Sequence, residues 1–396
     1  MFFLAGLFLI WALVTFGAVL PQTSLLLMRV WFAVAALAGC RQILRRGRLD
    51  YLVIAMLTAG GLAVLFLGPK LALWVLALLW MWKAGRDHPE NVIRYLRFLV
   101  VVGVLEASLG LIQYFVAPGW IFGYQNPYST VSGTLINRNH FAGLIEMFVP
   151  CCIGLGFMSV RRYGDVSRSY LYVLAGAFMA LSLVFSLSRM GIFSFFATMV
   201  LICILLLLRQ SERRMAAGLG LGLVGLLIAG ALWIGIDAIV ARYADLVQSN
   251  TVVDQGRKVI FTDTLRLIRA YPGGVGIGKY QDLFRRFQTF HPELLVDHAH
   301  NDYLETAAEW GIGVALVFWV IVIAIFVSMA RRLLLTQSDE RGGILLACTG
   351  SVFTLLVHGL ADFNLQIPSN AMLFFSFLGI GLAVLLPKHD LHNGSH

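Results

Sequence analysis

Apolar positions along this chain fall in long unbroken runs, not in the alternating or one-in-three patterns of soluble folds. The runs lie near 2–20, 24–40, 50–68, 70–82, 95–117, 139–160, 169–188, 190–208, 215–236, 311–330, 341–360 and 369–387. A run of about 20 apolar residues is long enough to cross a bilayer as a helix, and in lipid it must be helical so that its backbone groups bond internally. An outer-membrane barrel would need alternating segments of about ten residues, which are absent. The pattern predicts an all-α polytopic membrane protein of about twelve transmembrane helices, one membrane domain over residues 1–396. The fourth run is short, and reads as tilted, re-entrant or extended toward Trp80 and Trp82. The first starts at Phe2 with no basic segment ahead of it, and reads as a retained helix instead of a cleaved signal.

One polar island, 239–310, breaks this pattern between the ninth and tenth runs. Residues 256–270 within it predict an amphipathic helix, because Val259, Ile260, Leu267 and Ile268 share a face with Phe261 and Leu265. Tyr271-Pro272-Gly273-Gly274 stops that helix. Gly274-Val275-Gly276-Ile277-Gly278-Lys279-Tyr280 has the glycines of a phosphate loop but neither the Gly-Lys-Ser/Thr ending nor a preceding strand, so it reads as a tight turn. His300 to Trp310 leads into the tenth run.

Composition agrees with the pattern: the 396 residues are 59% hydrophobic and 13% charged, with a mean hydropathy of +0.82. The net charge of +9 does not point to nucleic acid, because the basic residues sit in short clusters between apolar runs, as topology signals do. With the N-terminus cytoplasmic, one side receives Arg41/Arg45/Arg46/Arg48, Lys83/Arg86/Arg94/Arg97, Arg161/Arg162/Arg168, Arg209/Arg213/Arg214 and Arg331/Arg332/Arg341. The short loops of the other side hold only Lys70, Arg138 and Arg189. Both termini are therefore expected in the cytoplasm and the polar island outside. Cys40, Cys151, Cys152, Cys203 and Cys348 lie in or beside apolar runs and form neither a disulfide framework nor a metal spacing.

Candidate chemistry gathers on the outer side. Arg189, in Ser186-Leu187-Ser188-Arg189-Met190-Gly191, has almost no loop around it, so its guanidinium must lie at the membrane boundary. A charge there is costly, and is either functional or a snorkelling structural group; its planar fork suits a phosphate. Arg257 opens the amphipathic helix, where spacing alone makes it a surface residue. His300 is a structural histidine or a base for a hydroxyl. Asp297, His298, His300 and Asp302 would present 298, 300 and 302 on one face of a strand, but no further ligand pair completes a zinc spacing, so no metal is expected. Asp302 and Glu305 read as groups that orient neighbours. In 118–140, Tyr124, Asn126, Tyr128, Ser132, Thr134, Asn137, Arg138, Asn139 and His140 suit either carbohydrate or an ordinary interfacial loop. Glu106 and Glu146 lie within spans, as proton relays or buried hydrogen-bonding groups. His358, Asp362 and Asn364 occupy the last outer turn.

These residues, in order, resemble the O-antigen ligase and O-antigen polymerase (Wzy_C-type) superfamily of bacterial inner-membrane glycosyltransferases. The resemblance runs through Gly133-Thr134-Leu135-Ile136-Asn137-Arg138-Asn139-His140-Phe141-Ala142-Gly143, Ser188-Arg189-Met190-Gly191, Gly256-Arg257, Pro272 to Tyr280, His300-Asn301-Asp302-Tyr303-Leu304-Glu305 and Asp362-Phe363-Asn364-Leu365-Gln366-Ile367-Pro368. It implies a GT-C-like membrane enzyme without metal or cofactor. Such an enzyme moves a glycan with inversion from undecaprenyl diphosphate to a glycolipid acceptor of the lipid A–core type, on the periplasmic face of the inner membrane. It implies that Arg189 and Arg257 hold the diphosphate and that His300 is the catalytic histidine. Arg138, Asn139, His140, His298, Asn301, Glu305 and Asp362 would support them. The extra His298 leaves open which histidine acts. A polymerase joining lipid-linked repeat units would share these motifs. The other class is a polyprenyl-glycolipid transporter or flippase, disfavoured because no internal repeat is visible.

Overall fold

The computed structural model describes residues 1–18, 69–126, 131–209, 252–291 and 293–386, with isolated positions between 22 and 34 and between 218 and 225. The expected spans 24–40, 50–68 and 215–236, and the start of the polar island, lie outside the described residues. So do Cys40 and Tyr128. The described helices are α1 (Phe2–Val14), α2 (Pro69–Asp87), α3 (Val92–Phe115), α4 (Arg138–Tyr163), α5 (Val166–Phe185) and α6 (Arg189–Leu208). They continue with α7 (Val252–Ala270), α8 (Tyr280–Phe284), α9 (Asp302–Trp310), α10 (Ile312–Leu335), α11 (Asp339–His358) and α12 (Pro368–Leu385). Among the described residues, strand occurs only at Trp120–Ile121 and Tyr124–Gln125, paired antiparallel. Among the described residues, seven helices are long and apolar enough to cross a membrane: α3 with its preceding turn, α4, α5, α6, α10, α11 and α12. The chain is thus an all-α membrane protein.

Two expected limits change. The first run was expected to be helical to residue 20, but α1 ends at Val14. Phe16, Gly17 and Ala18 all take positive φ, and Gly17 is so close to Leu135 that a Cβ there would strike its side chain. The chain must turn, and a helix cannot continue. The short fourth run proves to be the 19-residue α2, extended by a polar end in which Lys83 pairs with Asp87 at 2.7 Å.

The described residues form two compact units. The first comprises Met1–Ile192, Val322–Leu355 and Asn364–His396. Its centre is α4, buried along nearly its whole length and packed on α3 and α5, while α12 lies along α2. α4 crosses α11 where a Cβ on Gly343 would stand 2.6 Å from the Gly154 carbonyl oxygen. Small residues at such a crossing let two membrane helices approach closely. Pro150 interrupts the α4 ladder, and nearby the Met147 carbonyl accepts a 2.6 Å bond from Ser351 Oγ of α11. Gly343→Val is expected to lower stability by about 1–3 kcal/mol through overpacking, read as a lower thermal midpoint of purified protein in detergent.

The second unit comprises Phe193–Ile321 and Leu356–Phe363. Here α7 is amphipathic as predicted, with Ile260, Thr264, Leu267 and Ile268 buried and Lys258, Thr262, Arg266 and Arg269 exposed. Its apolar stripe joins Tyr280, Phe284, Ala299 and Ala308 in a small core. Asp263, fully buried, is satisfied by Arg266 at 2.8 Å and by the Thr289 N–H at 2.8 Å and hydroxyl at 2.9 Å. A buried carboxylate is tolerable only with such a set of donors. It fastens the 285–291 segment to α7. Tyr280 shares a 2.7 Å hydrogen bond with Thr264, and burial pushes its phenol above the ordinary range.

The glycine-rich 274–280 segment is a turn, as expected, and its donors are already used. Val275 N–H and Gly276 N–H donate to the Ala308 and Glu309 carbonyls, and Gly278 N–H donates to the Glu309 carboxylate at 2.8 Å. The protein's own carboxylate sits where a phosphate loop would hold its ligand. Glu309→Ala should leave the Gly278 and Tyr280 amides, which donate to its carboxylate, unsatisfied, at a cost of about 1–3 kcal/mol. Faster amide hydrogen exchange at Gly278 and Tyr280 is the expected readout.

Candidate functional site

In the second unit the site is built at the start of α9. Asn301 caps the helix, its Oδ1 accepting from Leu304 N–H at 2.9 Å, as an amide at that position should. Four bonds then tie this N-terminus to the end of α11 and the turn after it. Asp302 N–H donates to the Gly359 and Asp362 carbonyls, Asn301 Nδ2 donates to the Leu360 carbonyl at 2.7 Å, and Tyr303 Oη donates to the Leu356 carbonyl at 2.6 Å. Tyr303 also packs on Trp319 with ring centres 4.2 Å apart. Residues 300–305, the end of α11 and the turn after it are therefore one hydrogen-bonded body.

His300 lies just before this cap with φ +50°. A non-glycine residue in the left-handed region costs about 1–3 kcal/mol and persists only where its surroundings impose it. Here the cap and the turn impose it. The ring meets Phe363 edge-on at 4.9 Å, and Nδ1 is 3.8 Å from Asp362 Oδ1. Nδ1 is buried and carries no hydrogen bond among the described residues.

The strand that would have placed 298, 300 and 302 on one face does not form, because the backbone reverses hand at His300. His298 instead turns to Glu305, with Nδ1 2.7 Å from Oε1, and stacks on Phe363 at 4.2 Å. The other Glu305 oxygen accepts from Ala299 N–H at 2.9 Å. Glu305 thus orients its neighbours, as read from sequence. The surroundings of the two histidines therefore differ: His298 Nδ1 is held by Glu305, while His300 Nδ1 faces Asp362 at 3.8 Å. Arg257, half-buried, stands one turn before Ile260 at the end of the α7 stripe.

Arg189 belongs to the first unit. The turn before it is closed by its own serines. Ser186 Oγ donates to the Leu183 carbonyl at 2.6 Å and accepts from Ser188 N–H, and Ser188 Oγ accepts from Gly191 N–H. Leu187 takes φ +56°. Arg189 is the first residue of α6 and is exposed. A Cβ on Gly191 would stand 2.5 Å from Ala142 Cβ, so the first turns of α6 and α4 touch. Arg138 is likewise exposed at the start of α4, Asn139 is half-buried and His140 is buried. The His140 carbonyl accepts from Asn370 Nδ2 at 2.8 Å, and the same amide donates to Asn364 Oδ1 at 2.8 Å. Three of the motifs read from sequence therefore meet in this unit.

The side chains of Asn126, Ser132 and Thr134 are engaged within the protein. Asn126, Ser132 and Thr134 are buried, and Asn126 Nδ2 donates to the Ile136 carbonyl at 2.8 Å. Glu106 accepts from Thr134 N–H at 3.0 Å and Oγ1 at 2.9 Å, the buried hydrogen-bonding role. Gln113 was missed by sequence reasoning. Its Oε1 accepts from Ser132 and Gly133 N–H, and its Nε2 donates to the Gly133 carbonyl at 2.6 Å. The available signal was an amide within an apolar run, which must find partners in lipid. Glu106 and Gln113 fix the loop that launches Asn137, Arg138 and Asn139.

Residues 174–320 match the family model described as O-Antigen ligase. That stretch contains Arg189, Arg257, His298, His300, Asn301 and Glu305. The match supports the resemblance to the O-antigen ligase superfamily, and with it a function of the O-antigen ligase or polymerase type. No curated protein matches the chain.

Proposed function

We propose that the chain is a periplasm-facing glycosyltransferase of the inner membrane. It would move a glycan from undecaprenyl diphosphate to a hydroxyl of a glycolipid acceptor of the lipid A–core type. His300 takes the proton of the acceptor hydroxyl. The acceptor oxygen forms a bond to the anomeric carbon as the bond to the diphosphate breaks, inverting that centre. The diphosphate leaves with the electron pair, and Arg189 and Arg257 bind its growing charge in a partly dry site. The leaving group is already good, so neither nucleotide nor metal is required. Arg138, Asn139 and His140 shape the donor side.

The observation that carries this reading is His300 itself. It is strained, beside Asp362, with an open nitrogen, while His298 is held by Glu305. These surroundings support His300 as the base, and it lies within a stretch that matches the ligase family. In the test, purified protein is mixed with undecaprenyl-diphosphate glycan and a glycolipid acceptor, in EDTA and without ATP. Acceptor-linked glycan is the expected product. Lengthened glycan still on undecaprenyl diphosphate would reassign the chain as a polymerase, and donor movement with no covalent product would make it a transporter.

A further inference from the structure

Asp362 has two neighbours of the same kind. His300 Nδ1 is 3.8 Å from Oδ1, and His358 Nε2, four residues before Asp362, is 3.7 Å from Oδ2. His358 ends α11 and is wholly buried, as is Asp362. A carboxylate removed from water needs compensating donors or charge. Asp362 Oδ1 receives one from Phe363 N–H at 2.9 Å, on the oxygen that faces His300. The oxygen on the far side faces His358.

We infer that His358 is a positioning residue for the transfer reaction, holding the Asp362 carboxylate by its second oxygen so that the first is aimed at His300. This rests on the reading of His300 as the base. Both separations exceed hydrogen-bond length, and contacts of this kind tighten when substrate binds. As His300 takes the acceptor proton on Nε2 it becomes an imidazolium, and its Nδ1–H turns to Asp362 Oδ1. The carboxylate stays ionised and stabilises that cation, as the aspartate of a catalytic triad does. His358, 3.7 Å away in the resting structure, donates its Nε2–H to Oδ2 once the contact tightens and exchanges no proton. Without it the carboxylate is free to rotate toward another donor, and the base loses its orientation. From the last residue of α11, His358 directs Nε2 forward across the turn to Asp362, four residues on.

Four variants of the full-length protein test this by steady-state transfer. His358→Ala should lower kcat about tenfold or more with donor KM little changed, the mark of an interaction felt in the transition state. His358→Gln carries an N–H near the Nε2 position and should recover most of the loss. His358→Phe fills the volume without a donor and should stay impaired while matching the wild-type thermal midpoint. Adding His358→Ala to Asp362→Asn should cost little more than Asp362→Asn alone, because residues acting through one contact are not additive. Should His358→Ala fail to fold, the Gln and Phe variants decide. Recovery by Phe, or activity lost only in step with stability, would overturn the inference. So would normal kcat in His358→Ala while His300→Ala is inactive. Normal turnover in His300→Ala would instead remove the reading beneath it.

Discussion

His300→Gly is expected to abolish glycan transfer while leaving the protein as stable as before, or more so. The two effects come from different atoms. The imidazole is asked to take the acceptor proton, and removal of a general base costs about 10²–10⁴ in rate. The backbone at this residue is held at φ +50°, a conformation that glycine adopts without the steric penalty of a Cβ, worth about 1–2 kcal/mol. The side chain also gives up its edge contact with Phe363, which offsets part of that gain. His300→Ala lacks the imidazole but keeps the Cβ, so it should be equally inactive and less stable than the glycine variant. The pair separates chemistry from folding: activity falls in both, thermal midpoint in only one. His298→Ala is the companion measurement. His298 is bonded to Glu305, which keeps its bond from Ala299 N–H, so rate should fall far less than in either His300 variant. Near-normal transfer by His300→Gly, or a larger loss in His298→Ala, would reverse the assignment of the base.

The parts of this fold visible in the sequence are those set by local pattern. The apolar runs from residue 95 to 208 and from 311 to 387 became helices with limits a few residues away. The 256–270 stripe and the stop at Tyr271 to Gly274 were also local, whereas the expected straight lead from His300 through Trp310 into the tenth run is broken at Gly311, which takes φ +83°. What was hidden depends on contacts distant in sequence. Gln113 reaches 20 residues to Gly133, Asp263 reaches 26 to Thr289, and Glu309 reaches 31 to Gly278. Nothing in periodicity names those partners, although each is a polar group that burial forces to find one. The alternation argument at 298–302 failed for a different reason. It assumed extended backbone, and one left-handed residue reverses the side-chain sense. The candidate residues themselves were legible because a charge at a membrane boundary is rare enough to stand out, as Arg189 does between two apolar runs.

Arg189→Lys and Arg257→Lys are expected to be nearly as damaging as the alanine variants, although each keeps the charge. In the proposed reaction the leaving diphosphate presents pairs of oxygens, and a guanidinium meets such a pair with two parallel N–H donors. Lysine offers a single strongly hydrated point charge on a flexible stem, so it neither matches the pair nor sheds water as readily. Loss of one preorganised donor to a developing anion costs about 10²–10³ in kcat. Lysine should recover about a tenth of that on a logarithmic scale at Arg189, where the side chain is exposed at the first residue of α6 and the turn leaves little freedom to compensate. Arg189 is exposed and Arg257 half-buried, so neither substitution opens a core cavity and thermal midpoints should stay close to wild type. Donor KM should rise less than kcat falls, because charge on the bridging oxygen is largest in the transition state. A donor with a better leaving group than diphosphate should narrow the gap between variant and wild type. If the lysine variants transfer glycan at wild-type rates, the arginines serve only as boundary charges and the diphosphate must be held elsewhere. If both alanine variants lose binding and rate in equal measure, they anchor the donor without stabilising its departure.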